Sequence, residues 1–347
     1  MEKIVSRFGM NVEPQAIRPL GSGLINDTYI VTTPKPGPDY VLQRINNAIF
    51  KDVHGLQRNI DTVTAHIRKK LTESGETDID RHCLRFLPDI ETGYSYAFDG
   101  KDYWRMSVYI PDTETRENLT PENARLTGMA FGNFESMLAD LAEPLIEPIP
   151  DFHNMEFRIR QFEEAIESDT AGRKEGVKDL VAALLSRRDD FTLPERLYRE
   201  GKLPKRICHC DTKLSNILFN RDGSVACVID LDTVMPSFVF SDYGDFLRSA
   251  ANKGREDDPD LDNVEFDMDI YRNFTQGYID SASSFLTPLE IELLPHAPAR
   301  FAYMQAIRFL SDYLNGDTYY KIDYPEHNLV RARAQFRLLG SIEASIG

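Results

Sequence analysis

A short polar segment holds the strongest chemical pattern in the chain. His209, Asp211 and Asn216 follow one another with the spacing H-x-D-x-x-x-x-N. Phosphoryl transfer needs a carboxylate beside the attacking hydroxyl and oxygen ligands for Mg²⁺, and this spacing provides an aspartate for the first task and an asparagine for the second. We predict that Asp211 is a catalytic base and that Asn216 is a metal ligand.

A further carboxylate follows an apolar run. The turn sequence N-R-D-G-S precedes residues 225–229, so a hairpin is expected to deliver Asp230 at a strand end. We predict that Asp230 is the second metal ligand. If the strand continues, Asp232 projects from the same face and binds metal or the acceptor substrate.

Other residues near Asp211 have structural interpretations. We expect His209 to pack and to hydrogen-bond the loop, and Asp242 and Asp245 to brace it. Strand alternation would point the sulfurs of Cys208 and Cys210 away from the imidazole, with no second ligand pair nearby, so zinc is not expected. Four scattered cysteines also argue against a disulfide framework.

Composition excludes several classes of partner. The 347 residues carry a net charge of −16, which repels nucleic acid and anionic membranes. The N-terminal sequence lacks the apolar core of a signal peptide, and no run is long enough for a membrane span. We therefore expect a cytoplasmic enzyme with a small-molecule substrate.

The first third of the chain predicts strands around a glycine turn. Gly21 and Gly23 lie in G-S-G between a strand ending at Leu20 and an alternating run ending at Val31. Their backbone amides are candidates to bind nucleotide phosphates, although an ordinary hairpin turn explains the pattern equally well. Arg44, on the next strand, is the candidate cation for the α and β phosphates, or a solvent-facing edge residue.

A helix and further strands complete this part. Apolar residues recur at helical spacing over 52–71, and Asp61 on this helix either reaches back to Arg44 or is exposed. Strands are expected at 94–98 and 103–110, and the backbone from Val108 to Ile110 is the candidate adenine contact.

Beyond Pro111 the pattern is mostly helical. Thr120 and Pro121 begin one helix, and Thr287 with Glu290 forms a capping box that begins another. Further helices are predicted at 155–166 and 177–191, with a helical stretch towards Leu314.

These parts predict an α+β, bilobal, protein-kinase-like fold. Residues 1–110 form a small strand-rich nucleotide-binding lobe, and residues 111–347 form a larger, mostly helical lobe with the catalytic loop. ATP would lie between the lobes. Cys210 replaces the arginine of H-R-D and D-L-D replaces D-F-G, so a small-molecule hydroxyl is favoured over a peptide.

The catalytic segment resembles the phosphotransferase family that includes aminoglycoside, choline and homoserine-type kinases, whose motif is H-x-D-x-x-x-x-N followed by I-D. More narrowly, G-S-G-L-I-N-D-T-Y-I-V, R-F-L-S-D-Y-L-N-G-D and Y-P-E-H-N-L-V-R are similar to the N-acetylhexosamine 1-kinase branch. That resemblance implies ATP and Mg²⁺ as cofactors, a sugar acceptor, and a sugar site that includes Asp211, Arg308 and Tyr319. It leaves open whether Gln43 or Arg44 replaces the strand lysine.

Two other functions remain open at this point. One is a kinase of another small alcohol, of the amino-alcohol or homoserine type. The other is a catalytically silent nucleotide-binding protein of the same fold, which the presence of Asp211, Asn216 and Asp230 disfavours.

Overall fold

The computed structural model describes residues 1–10, 12–21 and 25–346. Gly23, which belongs to the predicted phosphate-binding turn, lies outside the described residues. The strands in the described ranges are β1 Ala16–Pro19, β2 Asp27–Thr32, β3 Tyr40–Ile45, β4 Ala97–Phe98, β5 Tyr103–Val108, β6 Thr113–Glu114, β7 Arg206–Cys208, β8 Ile217–Asn220, β9 Val225–Val228 and β10 Met235–Ser237.

Most of the C-terminal part of the described chain is α-helical. The α-helices in the described ranges are α1 Glu2–Val5, α2 Val53–Glu73, α3 Ile79–His82, α4 Pro121–Leu138, α5 Met155–Ser168, α6 Lys178–Leu185, α7 Arg188–Phe191, α8 Leu193–Arg199, α9 Phe240–Ala250, α10 Met268–Ala282, α11 Pro288–Leu293, α12 Ala297–Leu314 and α13 His327–Ile346. None of the helices described is long and apolar enough to cross a membrane.

The strands and helices divide between two compact units. Unit 1 consists of Met1–Arg116, Met137–Pro150 and Ser215–Met235, and unit 2 consists of Glu117–Ser136, Asp151–Leu214 and Pro236–Gly347. Each unit is therefore built from separate stretches of chain. The division into continuous domains 1–110 and 111–347 stays a prediction.

Unit 1 is organised by an antiparallel five-stranded sheet in the order β1-β2-β3-β5-β4. On β3 and β5, Gln43 lies opposite Arg105 and Arg44 lies opposite Trp104. Since neighbouring residues of a strand point to opposite faces, Gln43 and Arg105 share one face and Arg44 belongs to the other. This register decides which basic residue approaches the carboxylates described below.

Helix α2 has the amphipathic pattern that its sequence predicts. The Asp52 carboxylate accepts a hydrogen bond from the Gly55 backbone N–H at 2.8 Å and caps the helix. Its predicted apolar positions, Val53, Leu56, Ile60, Val63 and Ile67, are all buried. A carboxylate cap at the first turn and one apolar face explain why this segment is helical.

A large apolar core lies within unit 2. Helices α5, α9, α10, α12 and α13 contribute to it, with Phe274, Tyr278 and Tyr303 fully buried. Helices α4 and α10 touch backbone to backbone at glycines: a Cβ on Gly128 would lie 2.2 Å from the Phe274 carbonyl oxygen, and one on Gly277 2.1 Å from the Arg125 carbonyl oxygen. Only glycine permits this approach.

The structure confirms the mixed α+β class, with a strand-rich N-terminal sheet and a helical C-terminal part. It also confirms the Thr120 cap and the capping box at Thr287 and Glu290. Residues 177–191, predicted as one helix, form α6 and α7 after a short 3₁₀ turn. The strand predicted at 94–98 is reduced to β4, and the strand predicted at 103–110 ends at Val108.

Candidate active site

The backbone of the loop that carries Asp211 is held by hydrogen bonds to Asp242 in unit 2. The two carboxylate oxygens of Asp242 accept the backbone N–H groups of His209 and Cys210, each at 2.7 Å, and its backbone carbonyl accepts the Thr212 hydroxyl at 2.8 Å. The prediction that Asp242 braces the loop is confirmed. The first turn of α9 thereby fixes the backbone immediately before Asp211.

The backbone of Cys210 is left-handed, with φ 62°. Strand β7 has ended at Cys208, so the strand alternation assumed for the two sulfurs does not extend to Cys210. All four cysteines are buried and free. Burial raises the pKa of the Cys210 thiol well above its ordinary value, which keeps the thiol protonated.

His209 packs between aromatic rings and is fully buried. Its imidazole meets the edge of Phe131 at 5.3 Å and that of Phe134 at 5.8 Å between ring centroids. The prediction that His209 is a packing residue is confirmed. His209 thereby packs the catalytic loop against α4.

Asp211 lies beside two charged groups in unit 2. Its carboxylate is 2.9 Å from the Lys213 ammonium, and its side chain is 34% exposed. Burial, and then the negative charge of Asp211, raise the pKa of Asp245, whose main counter-charge is Arg248 at 3.0 Å. The Asp211 carboxylate is therefore accessible to a substrate. Asp245, in contrast, is held by its ion pair with Arg248.

Asn216 and Asp230 come together in unit 1. The Ile229 backbone N–H donates to the Asn216 carbonyl at 2.9 Å, and Ile217 pairs with Val228 across strands β8 and β9. The N-R-D-G-S turn joins the two strands, with the Asn220 N–H bonded to the Ser224 carbonyl at 2.8 Å. The predicted hairpin is confirmed, and it places the two predicted metal ligands at one end.

Asp232 departs from its predicted geometry. The chain turns at Asp230, whose φ of 62° is left-handed, and a 3₁₀ turn follows from Leu231 to Thr233, so the strand does not continue. The Asp232 carboxylate is buried and forms an ion pair with Arg105 through one oxygen. Its other oxygen accepts the Asn26 side-chain amide at 2.6 Å. Both oxygens of this carboxylate have partners within unit 1.

Arg44 does not reach Asp61. Its side chain is 41% exposed, and its guanidinium pairs with Asp27, with Nε at 2.7 Å from the carboxylate. Asp61 accepts hydrogen bonds from Ser95 and Gln57, and burial raises its pKa while the charge of Arg105 lowers it. The proposed pairing of Arg44 with Asp61 is wrong because Arg44 lies on the other face from Arg105.

The predicted nucleotide contacts of unit 1 are only partly open to a ligand. Gly21 has a left-handed backbone with φ 69°, a conformation that glycine adopts without steric cost. The Val108 N–H donates to the Arg85 carbonyl at 2.9 Å, and the Ile110 carbonyl accepts the Thr113 hydroxyl at 2.9 Å. Gln43 accepts from Arg105 at 2.9 Å.

Arg308 and Tyr319 lie close to one another in unit 2. The Arg308 guanidinium lies 5.7 Å from the ring centroid of Tyr320, which is in edge contact with the Tyr319 ring. Tyr319 is 74% exposed, so its ring is accessible to a ligand. The two residues that the resemblance assigns to a sugar site therefore both contact Tyr320.

A second arginine joins this cluster. Arg158 donates to the Phe152 carbonyl at 2.9 Å and to Gln161 at 2.8 Å, and Arg308 donates to Gln305 at 2.8 Å; all three acceptors are neutral. Burial, and then the charge of Arg308, lower the pKa of Arg158 to about 10. The cluster carries excess positive charge in a strongly acidic protein.

Asp312 fixes the loop that carries Tyr319. Its buried carboxylate accepts the backbone N–H groups of Thr318 at 2.9 Å, Tyr319 at 2.8 Å and Tyr320 at 2.9 Å. The Asn328 side chain donates to it as well, at 2.9 Å. One carboxylate therefore determines the position of three consecutive residues.

We expect Asp312→Ala to raise the KM for the acceptor substrate and to leave the KM for ATP unchanged. The variant leaves three backbone N–H groups without their acceptor, at a cost of about 1–3 kcal/mol for each buried donor. Steady-state kinetics with each substrate varied in turn measures the effect. Ser311→Ala, which removes only a hydroxyl bonded to Ile307, is the matched control; equal KM values in both variants would contradict this role.

Sequence reasoning missed several residues of the site. Arg105 is hidden in an apolar strand, and its ion pair with Asp232 is evident only from the structure. Lys213 lies two residues after Asp211 and could have been recognised from that spacing. Asp312 lies in the stretch R-F-L-S-D-Y-L, but its loop contacts depend on tertiary structure.

Comparison with known proteins gives a family match and several similar folds. Residues 16–274 match the model of the phosphotransferase enzyme family. The fold is similar to that of an aminoglycoside phosphotransferase from Alicyclobacillus acidocaldarius, with 14% identity, a TM-score of 0.58 and coverage of 100% of this chain and 96% of that one.

Two further solved structures share the fold. A spectinomycin phosphotransferase in complex with ADP and spectinomycin aligns at 12% identity and TM-score 0.55, with coverage of 99% and 96% of the two chains. A choline kinase from Streptococcus pneumoniae aligns at 16% identity and TM-score 0.51, with coverage of 98% and 97%. At these identities the likeness concerns the fold.

Proposed function

The chain belongs to the phosphotransferase enzyme family, and from this premise we propose that it transfers the γ-phosphoryl group of ATP to the anomeric hydroxyl of N-acetylhexosamines. N-acetylglucosamine and N-acetylgalactosamine are the expected acceptors, and the product is the sugar 1-phosphate. The observation that carries the proposal is the presence in unit 2 of Asp211 together with the Arg308 and Tyr319 cluster, in stretches similar to N-acetylhexosamine 1-kinases.

Asp211 acts as the base in this proposal. Its accessible carboxylate orients the acceptor hydroxyl and accepts its proton as the phosphoryl group is transferred. An anomeric hydroxyl is more acidic than an ordinary alcohol, so a carboxylate suffices for the task. Asp242 supports the step by holding the backbone on which Asp211 is mounted.

Asn216 and Asp230 would hold Mg²⁺. An amide oxygen and a carboxylate oxygen are the hard ligands that this ion prefers, and the β8–β9 hairpin supplies both, so the donor set fits. When bound, the ion neutralises phosphate charge. Asp232 was predicted to bind metal or acceptor; we propose instead that it orders this segment through Arg105.

The nucleotide contacts proposed for unit 1 are Gly21, Gly23, Arg44 and the backbone of Val108 and Ile110. Arg44 would have to exchange its exposed partner Asp27 for a phosphate. Such exposed ion pairs contribute about 0–1 kcal/mol, so the exchange costs little.

The acceptor cluster favours a sugar over an amino alcohol. The guanidinium groups of Arg158 and Arg308 would repel an ammonium group, whereas sugar hydroxyls and carbonyls accept their hydrogen bonds. Exposed Tyr319 offers an aromatic face to a sugar ring. A kinase of amino alcohols is the second candidate, since a choline kinase shares the fold. Free, buried cysteines suit the cytoplasm, where we place the enzyme.

Lys213→Ala is expected to lower kcat by roughly tenfold or more, because loss of one donor that stabilises developing charge costs about 10²–10³-fold in buried sites and less in exposed ones. Lys213 is 47% exposed and contacts the base itself. Initial rates at saturating ATP and acceptor measure this loss. Lys213→Arg retains the charge and should recover part of the rate; an alanine variant with wild-type kcat would remove Lys213 from the mechanism.

The proposed function is tested by an acceptor panel. The protein is incubated with ATP, Mg²⁺ and, separately, N-acetylhexosamines, plain hexoses, choline, ethanolamine and homoserine, and phosphorylated products are followed by mass. Phosphorylation of N-acetylhexosamines above all other acceptors supports the proposal. Preference for an amino alcohol would establish the second candidate instead.

A further inference from the structure

A closed polar cluster lies beneath the catalytic loop in unit 2. It consists of Glu135 on α4, Cys208 at the end of β7, Asp242 on α9 and Tyr278 on α10. Glu135 is 1% exposed and Asp242 0%. Ligand atoms of Glu135, Cys208 and Asp242 all lie within 4.8 Å of one another. Two carboxyl groups enclosed at this distance cannot both ionise unless a cation joins them, so a proton is required.

The hydrogen bonds show which carboxyl group keeps that proton. Both oxygens of Asp242 accept backbone N–H groups at 2.7 Å, an arrangement that favours the charged form. Glu135 accepts the Tyr278 hydroxyl at one oxygen, while Oε1 is buried and accepts no hydrogen bond from the described residues. A protonated Oε1 directed at Asp242 would satisfy both groups.

The electrostatic environment agrees with this assignment. Burial, and then the charge of Asp242, raise the pKa of Glu135 well above its ordinary value. Burial also raises the pKa of Asp242, but the His209 charge and the two backbone N–H groups oppose that shift. The Cys208 thiol lies 3.3 Å from the Phe238 carbonyl, and its hydrogen bond to Glu135 lowers the pKa of that carboxyl group less than burial and the charge of Asp242 raise it.

We propose that Glu135 is a positioning residue of the catalytic loop, which stays protonated at neutral pH and donates a hydrogen bond to the Asp242 carboxylate. This inference rests on the proposed function only for the role of Asp211. The neutral acid fixes the orientation of the Asp242 carboxylate, which holds the N–H groups of His209 and left-handed Cys210. Asp211 is the next residue, so a shift at Asp242 would be transmitted to the base.

The contact of α4 with α10 explains why the cluster forms. A Cβ on Gly132 would lie 2.7 Å from the Tyr278 carbonyl oxygen, so a glycine is needed where the two helices meet. Glu135 follows Gly132 by three residues, on the same side of the helix. The close approach thereby places the Glu135 carboxyl group against the Tyr278 hydroxyl.

Infrared spectroscopy of the intact protein tests the proton directly. Wild type at neutral pH should show the carbonyl band of a protonated carboxylic acid, and Glu135→Gln should lose it. Glu290→Gln is the matched control, because Glu290 is equally buried but is paired with Arg206 at 2.9 Å, and it should leave the band in place. An identical band in wild type and Glu135→Gln would overturn the proposal.

Kinetics tests the positioning role. Glu135→Gln retains a donor for Asp242 and an acceptor for Tyr278, so kcat should remain close to wild type. Glu135→Leu retains neither, and kcat should fall by roughly 10²-fold, as for a small misplacement of a reacting group, while ATP binding is unchanged. A glutamine variant as inactive as the leucine variant would show that a charge is needed and would overturn the proposal.

Two further measurements separate the possible failures. Elemental analysis of the purified protein should find no metal that Glu135→Gln releases; a stoichiometric ion lost in that variant would identify the cluster as a metal site and contradict the proposal. The infrared measurement needs no acceptor. If Glu135→Gln loses the infrared band but wild type phosphorylates no sugar, the proposed function is wrong and the protonation of Glu135 is still supported.

Discussion

Asp211→Asn is expected to lower kcat by about 10²–10⁴-fold, the range attributed to a positioned general base, while ATP still binds. The amide has the shape of the carboxylate but accepts no proton. Asp242 holds the backbone before it in both proteins, so the loop should keep its structure. Turnover with the best acceptor and ATP affinity by calorimetry measure the two effects.

A second aspartate provides the control for this experiment. Asp222 lies in the turn between β8 and β9, where its carboxylate accepts the Ser224 N–H at 2.9 Å and the Ser224 hydroxyl at 2.6 Å. Asp222→Asn should have wild-type kcat. A wild-type kcat in Asp211→Asn as well would show that another group accepts the proton. Absence of turnover in wild type with every acceptor, together with retained ATP binding, would favour a silent binding protein instead.

Asp232→Ala is expected to lower the free energy of unfolding by about 3–5 kcal/mol, because it leaves the buried guanidinium of Arg105 without its counter-charge. Asn26 would lose its acceptor as well. Urea unfolding followed through Trp104, the only tryptophan of the chain and the neighbour of Arg105, reports on this part of unit 1.

The exposed pair of Arg44 and Asp27 is the matched comparison. Asp27→Ala should cost about 0–1 kcal/mol, since both side chains are more than 40% exposed and water screens their attraction. Replacing Arg105 and Asp232 together by methionine and leucine should recover most of the loss, because it removes both buried charges. A smaller effect for Asp232→Ala than for Asp27→Ala would contradict the buried pair.

Local signals in the sequence predicted those elements that local interactions determine. The Asp52 cap and the apolar spacing of α2, the capping box at Thr287 and the turn between β8 and β9 all depend on residues a few positions apart. The H-x-D-x-x-x-x-N motif is likewise defined by residues a few positions apart. For these features the residues in contact are also neighbours in sequence.

Strand faces required the tertiary structure. The sequence shows that Arg44 belongs to a strand but not which face it occupies, and the register places Gln43 and Arg105 on the face opposite to that of Arg44. The prediction for Asp232 assumed a continuing strand, whereas Asp230 is left-handed and ends the strand geometry. A single residue of irregular backbone changed which group Asp232 meets.

Contacts distant in sequence were not predictable from spacing. Glu135 and Asp242 are separated by more than a hundred residues, and their proximity depends on glycines at the contact between α4 and α10. Asp312 likewise determines the position of Tyr319 through backbone N–H groups, which leave no pattern of side chains in the sequence. Asp242 thus holds the segment that carries the proposed base, and Asp312 holds the segment that carries Tyr319.

The position of the phosphate in the product tests the central claim most directly. Wild-type protein, ATP and Mg²⁺ are incubated with N-acetylglucosamine, and the purified product is examined by NMR for coupling between phosphorus and the anomeric proton. We predict that the phosphate is on the anomeric oxygen and that Asp211→Asn yields no such product. A phosphate on any other hydroxyl, or no sugar phosphate at all, would contradict the assignment of this chain as a sugar 1-kinase.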